Sequence, residues 1–151
     1  MKTKSILYRS VFALLLSAVA ARAEEIKTVL ITANDLMRFN VKRIDAEPGQ
    51  KIRVQLKNEG TLPREVMAHN WILLKAGSDT NAYTETAASA RNQNYRPASL
   101  DNEVIAAIPL VGANETGEVV FNAPSARGVY PFLCSYPGHC QTGMRGELVV
   151  R

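Results

Sequence analysis

The chain has 151 residues, with 18 Lys+Arg against 14 Asp+Glu, two cysteines and two histidines. That length makes one domain with room for a buried core. Four of the cations, Lys2, Lys4, Arg9 and Arg22, fall in the first 23 residues, where no acid occurs, so the remainder carries 14 of each sign. A near-neutral chain offers no bulk basic face for a phosphate backbone, which argues against nucleic acid as a partner and leaves charge pairing to local patches.

The charged start, the apolar stretch 11–21 with its single serine, and Ala21-Arg22-Ala23 read as a secretory signal over residues 1–23. The apolar stretch is too short to cross a bilayer as a helix, although an uncleaved anchor remains the alternative. A single domain over 24–151, periplasmic and free of the membrane once the signal is cleaved, is the expectation. Residues 27–32 are β-branched and predict a first strand, and 37–41 alternate apolar and polar as a half-buried strand does. After the Glu47-Pro48-Gly49-Gln50 turn, Ile52, Val54 and Leu56 alternate with Arg53, Gln55 and Lys57, a clear period of two. Residues 66–74 are apolar again and contain His69 and Trp71. The stretch 77–102 is polar and alanine-rich. It predicts a short helix over 80–91 on the outside of a sheet, stopped by Pro97. Short strands follow at 104–108, 118–121, 129–133 and 147–150. About eight strands with one helical insertion predict an all-β, Greek-key sandwich of two sheets.

The closing loop carries the chemistry. Cys134, His139 and Met144 are each separated by four residues, and Pro137-Gly138 supplies the bend between the first two. Thiolate, imidazole and thioether on one loop between strands are three of the four groups of a mononuclear electron-transfer copper site, which needs two imidazoles and a thiolate with a distant thioether. The only other histidine is His69, in Met67-Ala68-His69-Asn70-Trp71. The expected metal set is therefore His69, Cys134, His139 and Met144, holding one copper per chain. Each has a plainer explanation: His69 as a packed residue beside Trp71, Met144 as core filler, and Cys134 in a disulfide with Cys140, as an oxidising compartment favours. Their combination favours copper, because a ligating Cys134 leaves no partner for Cys140. Cys140 itself stays open as an inert buried thiol, an alternative ligand or an oxidisable one.

These residues resemble the azurins, within the cupredoxin family of blue copper proteins. The likeness runs in order through residues 34–40, 60–71, 96–105 and 130–146. It implies that His69 and His139 bind copper through imidazole nitrogen, Cys134 through its thiolate and Met144 as a weak axial ligand, with the Ala68 carbonyl a distant fifth group. It also implies that Asn70 ties the two ligand segments together beside Ser135, and that the Asn70 and Tyr136 amides donate to the cysteine sulfur, raising the potential. The sequence departs from the azurins in three further places besides the extra Cys140. The His139–Met144 spacing is one residue longer and matches plastocyanin-like loops, which leaves potential and colour open. Ala68 replaces the usual glycine. Lys27 and Gln50 stand near the positions of the family's N-terminal disulfide.

The function so implied is one-electron transfer, not catalysis. Redox proteins such as cytochromes or oxidoreductases would dock transiently on a monomer, through an apolar patch of Met37, Leu62, Pro63, Pro137 and Gly138 around the exposed edge of His139. A copper-trafficking module without a carrier role is the alternative. A copper enzyme would need further histidines, and a binuclear site would need a closer cysteine pair than 134 and 140.

Overall fold

The longest alternating stretch forms the strand that organises one sheet. The computed structural model describes residues 25–151, so the expected signal over 1–23 lies outside the described residues. The described residues form eight strands: β1 (Lys27–Ala33), β2 (Arg43–Ala46), β3 (Lys51–Asn58), β4 (His69–Leu74), β5 (Val104–Val111), β6 (Thr116–Asn122), β7 (Gly128–Leu133) and β8 (Arg145–Val150). β3 buries Ile52, Val54, Leu56 and Asn58 and turns the residues between them outward. It is the middle of the sheet β1-β3-β6; the second sheet runs β2-β8-β7-β4-β5. β1 lies parallel to β3 and β2 parallel to β8, while the other pairs are antiparallel. The core between the sheets includes Ile31, Val54, Leu56, Trp71, Phe132 and Leu148.

β4 is buried at all six positions. It lies between β7 and β5, with Trp71 and Leu73 in the core between the sheets. Ile72 and Leu74 belong to a second apolar cluster with Tyr83 and Ala87 of the helical insertion. A strand covered on both faces reads as a continuous apolar run, which is why no alternation shows over residues 69–74. The insertion starts with helix α2 (Thr80–Ala88), where Asp79 accepts from the Asn81 and Ala82 N–H groups at 2.8 and 3.2 Å. It ends three residues before the expected 91, followed by 3₁₀ turns at Arg91–Gln93 and Ala98–Glu103.

Two expectations are corrected. Residues 37–41 are not a strand. Met37 has a positive φ of 53°, and Asn40 closes a loop onto β1, accepting from the Thr32 N–H at 2.7 Å and donating to the Thr32 carbonyl at 3.2 Å. The alternation there serves to bury Phe39 against Phe132. The strand lies instead at β2, whose four residues are too few to show a period. The apolar run 66–74 is also divided: the single turn α1 (Arg64–Met67) precedes β4, with Ala68 between them.

Candidate metal centre

β4 starts with His69, while β7 ends at Leu133 immediately before Cys134. The antiparallel pairing of Ile72 with Leu133 sets the two segments side by side. A register shift between His69 and Trp71 interrupts the β4–β5 ladder at the same end of the strand, a usual device for re-aiming side chains at a site. The ligand loop is closed on itself: Cys134 N–H donates to the Met144 carbonyl, and Met144 N–H to the His139 carbonyl, both at 2.9 Å. The longer His–Met spacing is taken up by turns, with Thr142 N–H donating to Gly138 and Gly143 N–H to Cys140. Gly138 and Gly143 have φ of 83° and 104° there, a backbone region that disfavours side chains.

His69, Cys134 and His139 converge. Their donor atoms lie within 4.8 Å of one another and all three residues are buried. The two Nδ1 atoms are 3.2 Å apart, and Cys134 Sγ is 3.5 Å from His139 Nδ1. Burial drives the His139 imidazole down to about 4, with His69 adding to the effect. Burial also lowers His69, partly offset by a contact with the Asn34 backbone, although its Nε2 makes no hydrogen bond of good geometry. Both rings are therefore neutral at pH 7 and keep a lone pair. Burial pushes the Cys134 thiol up to about 12 against the opposing hydrogen bonds of the Asn70 and Tyr136 amides. A cation that takes up this donor set has to displace the thiol proton. Two imidazoles and a thiol turned toward one point, closed to water, fit a single copper ion by donor type.

The supporting residues are also in place. Asn70 Nδ2 donates to Ser135 Oγ and Asn70 Oδ1 accepts from Ser135 N–H, each at 2.8 Å. This double bridge joins the two ligand segments. Asn70→Ala strands the buried Ser135 amide and is expected to cost about 1–3 kcal/mol. A lower urea midpoint at unchanged m would record it. Ala68 is buried and extended at φ −89° and ψ 155°, a backbone that needs no glycine. Met144 is fully buried in the same core cluster as Cys134. Cys134 and Cys140 are both free, which removes the disulfide alternative. Cys140 lies outside the donor cluster, buried with Ile72, Leu133 and Tyr83 where the helical insertion meets the sheet.

The apolar patch is only partly as expected. Leu62 is 39% exposed, and Pro63, Pro137 and Gly138 are exposed, but Met37 is half-buried against the core. The expected exposed edge of His139 is corrected: only 2% of its surface remains, with the Tyr136 ring centroid 4.7 Å from its own. Leu36 and Val66, at 71% and 56%, extend the exposed apolar surface. A leucine in the Asn34-Asp35-Leu36 turn was a signal available in the sequence. The loops carrying these residues are tied together, since Asp35 accepts from the Thr61 N–H and hydroxyl, and the Tyr136 hydroxyl donates to the Glu65 carbonyl. These bonds, the Thr61 amide foremost, hold the Asp35 carboxyl below its usual range. Tyr95 was also missed. Its carbonyl accepts from the Ser135 hydroxyl and its ring meets Tyr136 edge-on at 5.0 Å.

A two-sheet β-sandwich with one buried His/Cys/His cluster at the end of the strands defines a mononuclear type 1 copper centre of the electron-transfer class. Residues 26–151 match the family model for copper binding proteins of the plastocyanin/azurin family. The azurin of Pseudomonas aeruginosa is 35% identical over 140 residues, covering 91% of this chain and 92% of its own. Auracyanin A, the "blue" copper protein of Chloroflexus aurantiacus, superposes with a TM-score of 0.73 at 34% identity over 84% of this chain and all of its own. The azurin Az-iso2 of Methylomonas sp. strain J gives 0.73 at 29% identity, over 83% and 98%. The chain belongs to the plastocyanin/azurin family of copper proteins.

Proposed function

We propose that the chain is a periplasmic one-electron carrier. His69 and His139 would hold its copper through imidazole nitrogen, Cys134 through its thiolate and Met144 more weakly through its thioether, with the Ala68 carbonyl as a further, weaker contact. The observation that carries this is the convergence of two buried imidazoles and one thiol on a single point. Bound copper supplies a Cu(II)/Cu(I) couple. The chain supplies the rest: the Asn70 and Tyr136 amides stabilise an electron-rich sulfur and so raise the potential, and burial keeps water from the donors. The Asn70–Ser135 bridge and the closed loop leave the donors little freedom to move when the charge changes. The charged start and apolar stretch before Ala23, with family membership, support export through a signal over residues 1–23. No helix among the described residues is long and apolar enough to cross a membrane.

The direct test adds Cu(II) to metal-free protein comprising residues 24–151 and records a visible spectrum and a voltammogram. Intense thiolate-to-copper absorption with a reversible one-electron wave is expected; thiol oxidation without a stable chromophore would overturn the assignment. Docking is assigned to Leu62, Pro63, Pro137 and Gly138, with Met37 at the margin, through a small face suited to a complex that must dissociate. Leu62→Glu is expected to slow exchange with a protein partner severalfold while leaving the copper spectrum unchanged. Stopped-flow mixing measures the first and absorption the second, and an unaltered rate would place the docking face elsewhere.

A further inference from the structure

The even balance of charge hides an uneven placement. Arg38 follows Met37, at the margin of the proposed docking face, and Arg145 follows Met144, where the ligand loop rejoins β8 opposite Leu133. Lys42 lies with them and donates from Nζ to the Gly143 carbonyl. Burial, and then the like charges of Arg38 and Arg145, push the Lys42 ammonium below its usual range. Arg43, Arg64, Arg96 and Arg151 are each paired with a carboxylate. Among the described residues Arg38, Lys42 and Arg145 form no ion pair with an acid. Lys42 and Arg145 line a cleft of about 470 Å³ with Thr80, Pro131, Gly146 and Glu147. Glu147 is the one acid there, and it also interacts with Arg43.

We propose that Arg38, Lys42 and Arg145 form the docking patch for an acidic face of this chain's redox partner protein. The patch presupposes the electron-carrier role and names the chemistry of the partner. Three cations held together with a single nearby glutamate, itself shared with Arg43, repel one another, and carboxylates on an approaching surface relieve that repulsion. Beyond residue 23 the chain is balanced in charge only when these three cations are counted, so their field is local and orients the encounter. Such complementarity raises association rates by about 10–10³-fold and is weakened by salt. A protein face is the occupant because exposed Leu36 adjoins the same segment: one partner surface can place carboxylates on the cations and apolar groups beside them, which a free anion cannot.

The test mixes reduced, copper-loaded protein with cytochrome c whose lysines have been succinylated, and with unmodified, basic cytochrome c, over a series of ionic strengths. The acidic form is expected to react about tenfold faster at low than at high salt. The double variant Arg38→Gln/Arg145→Gln removes most of that advantage, keeps the visible spectrum and does not slow the unmodified cytochrome. Lys42 is left intact because it supports the loop. An unchanged rate with the acidic cytochrome overturns the patch, as does an equal fall for both cytochromes. If the loaded protein shows no reversible electron exchange, it is the carrier role that fails. The patch is then read separately, from amide line broadening by hexacyanochromate(III). Broadening at residues 38–43 and 143–147 that disappears in the double variant supports it, and broadening that is elsewhere or unaltered overturns it. Sedimentation with phosphatidylglycerol vesicles through the same arginines, without a response to the acidic cytochrome, would assign the patch to a membrane surface and overturn a protein partner.

Discussion

Replacing Cys134 with serine is expected to abolish the intense visible absorption that Cu(II) gives with the parent chain. Copper affinity should fall by more than the roughly 10–100-fold that loss of a supporting residue costs. Cys134 provides the thiol of the His/Cys/His cluster, and neither the two imidazoles beside it nor a neutral thioether can replace a soft anionic donor. The folded state should survive, because a hydroxyl is smaller than a thiol and the loop is closed by backbone hydrogen bonds at Met144 and His139. Circular dichroism separates these outcomes: native signal with no colour is the expected result. Colour retained in Cys134→Ser and lost in Cys134→Ser/Cys140→Ala would mean that the second thiol reaches the ion, contrary to its place under the helical insertion.

Trp71→Ala should be the most destabilising single change in the core, at about 3–5 kcal/mol out of the 5–15 kcal/mol typical of a whole domain. Trp71 is completely buried, with its ring 6.0 Å from Phe121 and 5.6 Å from Phe132. The alanine would open a void between the two sheets that strands held on both sides cannot collapse to fill. Trp71→Phe is the informative contrast. The indole Nε1 is buried without a hydrogen-bond partner, so phenylalanine gives up packing volume but also an unsatisfied donor, and a loss below about 1.5 kcal/mol is expected. Urea denaturation of the metal-free protein measures both. A loss under 1 kcal/mol for the alanine would show that the sheets repack around the site.

The metal site was legible because its chemistry is dense: three donor types on one short loop, and one remaining histidine to complete them. The Asn70–Ser135 bridge came only with the family resemblance, since nothing local to either residue points across 65 positions of chain. Strand alternation served where it was long, as in β3, and failed where the strand was four residues, as in β2. It misled at 37–41, where a loop buries Phe39 with strand-like spacing. Tyr95 carried no periodic or compositional mark. Its contact with Ser135 and Tyr136 exists only because the helical insertion folds back over the end of the sheet. The cover over His139 is likewise a tertiary result, made by a tyrosine three residues away that reaches across to the Glu65 carbonyl.

The ladder between β7 and β8 ends at Leu133 opposite Arg145, and one backbone bond from Cys134 to Met144 shuts the loop directly beyond it. Everything from 135 to 143 can thus be treated as a cassette hung on a fixed clasp. Segments of other lengths could be exchanged there without re-registering either sheet of the sandwich, provided that Ser135 keeps its bridge to Asn70.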